Sequence, residues 1–324
     1  MLVGSLLVIA FVLGLTLGRF EISISDFFKM LFNSEGYEIE RSIVLNLRLP
    51  RTIVAALTGL ALSVSGLLYQ ETFQNKLVSP DLLGVSSGAG VGAAFSIVMG
   101  LSSIFVSFFA FGFGVLTVFA TLFVAKIFQN KSSTILTLSG IIVGGCMSAV
   151  LSFIKYLADA ETTLASITFW LMGSFEHSLM EDVYVLLPIV AICSSIVLSI
   201  SYRVNIVALG REEAQTKGVN YRFYRTLIII IATLLTASSV AFAGTISWIG
   251  LVVPHIVRLM VGRDTRKTIP LSMLFGATFM IIADILSRTF TSSEIPLSAI
   301  TGFFGTIVFI VILFVRRNTI NEND

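Results

Sequence analysis

Charged residues are scarce in this sequence. Asp, Glu, Lys and Arg make up 12% of the 324 residues, whereas 56% of the residues are apolar and the mean hydropathy is +0.96. A soluble domain carries about 25% charged residues, so the composition excludes an ordinary soluble fold and indicates a protein that crosses a membrane several times.

Residues that usually build metal and nucleotide sites are also rare. Both cysteines, Cys146 and Cys193, fall inside apolar runs, where they behave as small hydrophobic residues and not as a disulfide framework. The two histidines, His177 and His255, have no second ligand at metal-binding spacing. No G-x-x-x-x-G-K-[ST] segment occurs, so any ATP-driven activity requires another subunit. We expect no catalytic centre, no metal site, no cofactor and no nucleic-acid partner.

Ten apolar runs approach the length of about 20 residues that a helix needs to cross a bilayer. They lie at residues 2–17, 49–69, 83–99, 104–127, 135–157, 183–201, 226–243, 246–261, 269–289 and 295–315. The sequence therefore predicts an all-α polytopic membrane protein with about ten transmembrane helices, in one domain over residues 1–324. The distribution of Lys and Arg favours cytoplasmic termini.

Several runs contain residues that interrupt helices or bring them close together. The third run holds Gly84, Gly88, Gly90 and Gly92, and the eighth holds Gly250 and Pro254. Both runs are predicted to be broken and to lie inside the bundle, where protein or water satisfies the freed backbone groups. Gly140 and Gly144 form a GxxxG pair in the fifth run, which favours close helix contact, with pore lining as the alternative.

The longest charged segment, at residues 203–225, lies between two apolar runs. Its basic residues outnumber Glu212 and Glu213, which places it on the cytoplasmic side. Residues 208–218 are typical of a short helix, with Gly210 and Gly218 as breaks. The segment is either a compact docking element or a solvated loop that only sets the topology.

Few acids lie inside the apolar runs. Asp284 is the only one well inside a run, and Arg288 follows it by four residues on the same helix face, which predicts an internal ion pair. Ion-coupled carriers usually bury further carboxylates at the membrane midplane. The pattern therefore argues against a proton-coupled carrier.

Four long blocks resemble one known family. They are residues 47–94, which begin LRLPRTIVAALTG, residues 208–220 (ALGREEAQTKGVN), residues 244–272 (GTISWIGLVVPHIVRLMVGRDTRKTIPLS) and residues 283–305 (ADILSRTFTSSEIPLSAITGFFG). In this order they closely resemble the FecCD-type permeases, the membrane subunits of ABC importers for iron-siderophores, haem and cobalamin. The sequence departs from the family at residues 74–77, where Asn-Pro is common, and at residues 244–245, where Gly-Pro is common.

The resemblance implies a cobalamin-permease-like bundle with broken helices in a bacterial or archaeal cell (inner) membrane. It implies a dimer with an identical or related permease, two ATP-binding subunits inside, and a periplasmic or lipoprotein substrate-binding protein outside. An iron-siderophore is the expected cargo, with haem or cobalamin as alternatives. A secondary, ion-coupled carrier is the alternative from a different class, and a membrane-embedded enzyme would require a constellation of reactive residues that the sequence lacks.

The resemblance also assigns roles to individual residues. It places binding-protein docking at Arg48, Arg51 and Arg288, for which anchoring at lipid headgroups, with Arg288 paired to Asp284, is the alternative. It places ATPase coupling at residues 209–219, with Leu209, Gly210, Arg211, Glu212, Glu213, Ala214, Gly218 and Val219 as the contacts. It places a gate at Ser133 and Thr134, which could instead form a helix N-cap, and Gly140 and Gly144 are grouped with this gate and pathway.

Overall fold

The computed structural model describes residues 2–20, 22–32, 36–128 and 133–321, and these residues form helices joined by turns. A π-helical turn, Ile43–Arg48, precedes α4, and a 3₁₀ turn, Pro80–Leu83, precedes α5. The α-helices are α1 (Leu2–Thr16), α2 (Ile24–Phe32), α3 (Glu38–Ser42), α4 (Leu49–Thr72), α5 (Val85–Val98), α6 (Ser103–Ile127), α7 (Ser133–Leu157), α8 (Thr163–Met172), α9 (Met180–Ser199), α10 (Ser201–Val207), α11 (Arg211–Thr216), α12 (Tyr221–Ala243), α13 (Ile249–Val261), α14 (Thr265–Thr289) and α15 (Leu297–Asn321).

Each of the ten predicted runs coincides with a helix, which confirms the all-α prediction for the described residues. By length and apolar composition, six helical stretches can cross a membrane: Glu38–Thr72, Ser103–Ile127, Thr134–Leu157, Met180–Ser199, Tyr221–Ala243 and Thr265–Thr289. The remaining runs form shorter apolar helices, so the count of ten spans stays a prediction. Helices α2, α3, α8 and α10 were not predicted, because they are too short to produce a long apolar run.

Helix α4 lies at the centre of the bundle, where it packs against α9, α12, α13 and α14. Two glycines allow its closest crossings. A Cβ atom at Gly59 would lie 2.1 Å from the carbonyl oxygen of Gly276 on α14, and one at Gly66 would lie 1.9 Å from that of Gly250 on α13. These backbones touch directly, so no larger side chain fits at either crossing.

The third run is broken at Gly84, which has a φ of 79° and separates the 3₁₀ turn from α5. In the eighth run the predicted break was misplaced. Gly250 and Pro254 lie inside continuous α13, and the non-helical residues are 244–248, just before it. Trp248 ends this stretch with a φ of 73° and packs on Gly305 of α15. The glycines and the proline correctly indicated that this run is irregular. The position of the break could not be predicted, because it depends on packing between distant segments.

Candidate functional site

The basic segment forms an ordered, exposed helix, as the compact alternative predicted. Helix α11 begins after Gly210, whose φ of 109° and ψ of 177° belong to a region that essentially only glycine occupies. Gly218, with a φ of 70°, follows its end. Ala214 is fully buried and fixes the helix to the protein. Val219 is half-buried. The exposed residues among the predicted coupling contacts are Leu209, Arg211, Glu212, Glu213 and Gly218.

Two further contacts hold this segment in place. Gln74, in the turn after α4, donates from Nε2 to the carbonyl oxygen of Ala208 at 3.1 Å, just before α11. The Arg203 guanidinium of α10 lies over the ring of Tyr224 on α12, 5.1 Å from its centre. An open groove of about 410 Å³ beside α11 is lined by Arg211, Gln215, Val219, Asn220, Tyr221 and Arg222. The segment is therefore held in one position at the surface, where a partner protein can bind it.

A buried polar cluster joins α13 to the end of α4 that the sequence predicts to be cytoplasmic, here called the inner end. Arg258 donates from Nη1 to Glu71 at 3.1 Å and from Nη2 to the side-chain oxygen of Gln70. Gln70 in turn donates from Nε2 to the carbonyl oxygen of Gly250 at 3.1 Å. These bonds fix the end of α4 to α13 a few residues before Gln74. The turn that holds the coupling segment is therefore itself held by α13.

A second buried cluster lies at the outer end of α4. Arg51 donates from Nε to Asp284 at 2.7 Å and from its two terminal nitrogens to both oxygens of Glu294, at 2.6 and 2.8 Å. Arg288 Nε lies 3.3 Å from the second oxygen of Asp284, which confirms the predicted i,i+4 pair. Three elements, α4, α14 and the loop before α15, meet at these charges.

The three arginines predicted to dock a binding protein are all buried, with 5%, 8% and 5% of Arg48, Arg51 and Arg288 exposed. Arg48 donates to the carbonyl oxygens of Leu15, Thr16 and Phe20. Arg288 donates to the carbonyl oxygen of Gly14 at 2.6 Å. Docking and contact with lipid headgroups, the alternative role, both require access to the guanidinium groups, and both stay predictions. Their direct partners in this structure are groups of the same chain.

Glu294 is the accessible edge of this outer cluster, with 14% of its side chain exposed. Burial opposes ionisation of the Glu294 carboxyl, but the hydrogen bonds and charge of Arg51 outweigh it and hold the pKa of Glu294 below its ordinary value. In formal charge, Arg51 and Arg288 balance Asp284 and Glu294, with which they form ion pairs. Arg19 and Arg48 lie near enough to act on this cluster electrostatically and give it excess positive charge.

The predicted gate residues lie at the inner end of α7. Ser133 begins the helix, but its side chain lies outside the described part of the structure, as does Ser132, so the N-cap alternative is untested. Thr134 is exposed. Gly140 is buried, and a Cβ atom there would lie 2.2 Å from the carbonyl oxygen of Leu82. The GxxxG pair thus makes the predicted close contact, and its partner is the 3₁₀ turn before α5.

Several polar residues were not predicted as site residues from the sequence: Gln70, Glu71 and Arg258 of the inner cluster, Glu294 of the outer cluster, and Gln74 and Asp81, which lie outside both. Gln74 carried no signal except that it lies where the sequence departs from the family pattern. Glu294 is the only acid between Asp284 and the C-terminal tail, which marks it as a partner for outer arginines. Asp81 is the only acid between Glu71 and Asp159, and an isolated carboxylate in so apolar a stretch is a detectable signal. Among the described residues, no group of His, Cys, Asp and Glu side chains could hold a metal ion.

Relatives of known class match nearly the whole chain. The permease of the molybdate import system of Haemophilus influenzae is 37% identical over 98% of this chain and 96% of its own length. The permease of a ferric citrate import system of Bacillus subtilis is 34% identical over 98% and 95%. The permease of the cobalamin import system of Halobacterium salinarum is 36% identical over 85% and 74%.

A solved metal-chelate type ABC transporter in an inward-facing conformation superimposes with a TM-score of 0.87, at 36% identity, over 96% of this chain and 97% of its own. The model of the FecCD transport family matches residues 6–315. These matches agree with a helical bundle that has an exposed inner helix and no nucleotide-binding motif of its own. The chain belongs to the FecCD transport family and is a multi-pass membrane permease of an ABC importer, in which the ATPase activity resides on partner subunits.

Proposed function

We propose that this permease imports an iron-siderophore complex. Iron chelates are the cargo named for the Bacillus relative, and metal chelates the class named for the superimposable transporter. The observation that carries the importer role is α11, an exposed inner helix held by Ala214 and Gln74 on a chain without a nucleotide-binding motif. Such a fixed element transmits force from a separate motor.

The proposed assembly has two permease chains, identical or related, two ATP-binding subunits on the cytoplasmic side and a substrate-binding protein outside, in a bacterial or archaeal cell membrane. Purification of the permease with its ATPase, followed by uptake into proteoliposomes with and without ATP, tests this assembly. Uptake that follows a proton or sodium gradient without ATPase would instead identify a secondary carrier.

The cargo is tested through the binding protein. Fluorescence titration of the partner binding protein with a ferric siderophore, haem, cobalamin and molybdate compares the candidates directly. Submicromolar binding of the siderophore alone supports the proposal. Molybdate is the second candidate because the Haemophilus relative is 37% identical over nearly the whole chain, and selective molybdate binding would overturn the siderophore assignment.

We also propose docking of the binding protein at the outer arginine cluster. A carboxylate of the arriving protein would replace Glu294 on the planar fork of Arg51, while Asp284 keeps holding Arg51 Nε. Arg48 and Arg288 contribute positive charge, while their guanidinium groups stay bonded to carbonyl oxygens of the permease and do not contact the arriving protein. What supports the exchange is the excess positive charge of the cluster and the partial exposure of Glu294.

The inner gate is proposed at Ser133 and Thr134, where small polar side chains can close a constriction without filling it permanently. Cysteines at the two positions should cross-link between the two permease chains in one nucleotide state and not in the other. Cross-linking that is the same with and without ATP would favour the N-cap role.

A further inference from the structure

Asp81 is a solitary carboxylate on the 3₁₀ turn Pro80–Leu83. Its side chain is exposed, and Ser86, at the start of α5, donates a hydrogen bond to it. Serine is neutral, and no salt bridge to Asp81 occurs among the described residues, so its negative charge is not cancelled there. None of the roles proposed above uses this residue.

The turn that carries Asp81 lies deep along α7 and not at its end. Leu82 contacts Gly140, and Gly84 contacts Gly144. Helix α7 begins at Ser133. At 1.5 Å per residue these glycines lie on the order of 10 and 16 Å from that end. The hydrocarbon core of a bilayer is about 30 Å thick, so the turn lies within the depth of the membrane.

Lipid cannot cover a group of this kind. Non-helical backbone and a charge at membrane depth are tolerated only inside protein or beside water. Both neighbouring helices expose large apolar side chains, such as Phe108 and Phe123 on α6 and Ile142 and Phe153 on α7. Beside the Asp81 turn, however, α7 carries Ser148, which meets Ser87, and Ser152 one turn further on. This polar strip of α7 suits contact with water or with the second permease and not with lipid.

Asp81 and α7 belong to one polar surface. Ser148 on α7 donates to the hydroxyl of Ser87 at 3.4 Å, and Ser87 follows Ser86, the partner of Asp81. We propose that Asp81 places a negative charge on the wall of the water-filled pathway, where it disfavours anionic cargo such as molybdate and favours neutral or cationic chelates. This inference rests on the proposed importer function, because only a permease has a pathway to select through.

The local potential can be measured with charged thiol reagents. In a C146S background, which removes the exposed native thiol, S148C places a single reporter beside Ser87. Cationic and anionic methanethiosulfonates then react with the full transporter in detergent at about pH 8. The cysteine thiolate attacks the reagent sulfur, a disulfide forms, and methanesulfinate leaves, so both reagents undergo the same chemistry and differ only in charge.

We expect the ratio of cationic to anionic reaction rates to exceed that of a free thiol by roughly fivefold, the size that one charge at about 8 Å produces in water. D81N, which keeps an oxygen for Ser86, should abolish this excess, and D81E should retain it. D159N, which removes an exposed acid after the outer end of α7, is the matched control and should leave the ratio unchanged.

Two results would overturn the inference: a thiol at position 148 that neither reagent modifies, or a ratio that D81N does not change. The measurement does not depend on transport. A chain that failed to import any chelate would refute the proposed function and still report the charge at Asp81, so the two failures are distinguishable.

Discussion

Arg51 and Glu294 join the central helix α4 to the loop before α15 through two parallel hydrogen bonds of 2.6 and 2.8 Å. A paired arginine fork of this kind is strong and geometrically selective. It also occupies the two donors that an acidic partner would need. In the proposed docking, Glu294 is the group that a carboxylate of the binding protein would have to displace.

We expect E294Q to accelerate association with the binding protein severalfold, because the neutral amide offers Arg51 one acceptor instead of two and raises the excess charge of the cluster by one. The salt dependence of the association rate should become steeper for the same reason. Stopped-flow association at two ionic strengths measures both effects. An association rate that is unchanged or slower would contradict docking at Arg51.

The same pair makes part of the stability sensitive to acid. Because Arg51 lowers the pKa of Glu294 from its ordinary value of 4.5, the pair stabilises the folded chain above that value. This stabilisation is lost as the pH falls through the lowered folded-state pKa. Thermal unfolding in detergent between about pH 6 and pH 3 should show a decline that is smaller in E294Q. Identical pH profiles would mean that other carboxyls dominate.

The glycine crossings of α4 predict a strong contrast between two alanine substitutions. G66A drives a methyl group into the backbone of Gly250 and should destabilise the protein by about 3 kcal/mol or more, since neither backbone can move aside. G112A on α6 meets no atom within 4 Å and should be neutral or slightly stabilising. Thermal unfolding of the purified variants checks the pair, and equal midpoints would refute the close crossing.

The two glycines that flank α11 should respond differently to asparagine. Gly218 has a left-handed conformation that asparagine tolerates, and no atom lies within 4 Å of its added Cβ. Gly210 has a conformation closed to asparagine, and its Cβ would lie 3.0 Å from Gln74 Nε2. We expect G210N to lower transport and ATPase stimulation by about tenfold, with G218N close to the native protein. Native coupling in G210N would refute a role of this turn in force transmission.

Gln74 allows coupling to be separated from stability. Its φ of 53° is one that glycine adopts at no cost, so Q74G removes the bond to Ala208 and also relieves backbone strain. We expect Q74G to keep its thermal stability while transport per ATP hydrolysed falls severalfold. Full transport efficiency in Q74G would show that the bond from Gln74 is not needed to hold α11 for coupling.

The sequence predicted the helices well where a long apolar run determined them, as in α6 and α12. It predicted α11 because Gly210 and Gly218 mark a short segment rich in charge. It could not predict that Arg51 meets Glu294, since 243 residues separate them along the chain. It also missed that residues 244–248 form the break of the eighth run, because Pro254 fits within α13 once its neighbours are packed.

The sequence also does not show how deep in the membrane a turn lies. Asp81 follows a turn signal and would be assigned to a surface loop, yet Gly140 and Gly144 bring that turn far along α7. The sequence likewise did not show that the fold surrounds Arg48 with carbonyl oxygens, and its docking role stays a prediction. Both cases depend on packing between distant segments.

Helix α4 is buried along most of its length and carries Arg51 near one end and Thr72 at the other, on the order of 32 Å apart at 1.5 Å per residue. The backbones of neighbouring helices touch its backbone at Gly59 and Gly66, so α4 has little room to bend between its two ends. We expect a displacement of Arg51 to reach the Gln74 turn as a movement of the whole helix. We expect the arrival of a binding protein to be sensed by the motor side before any cargo has moved.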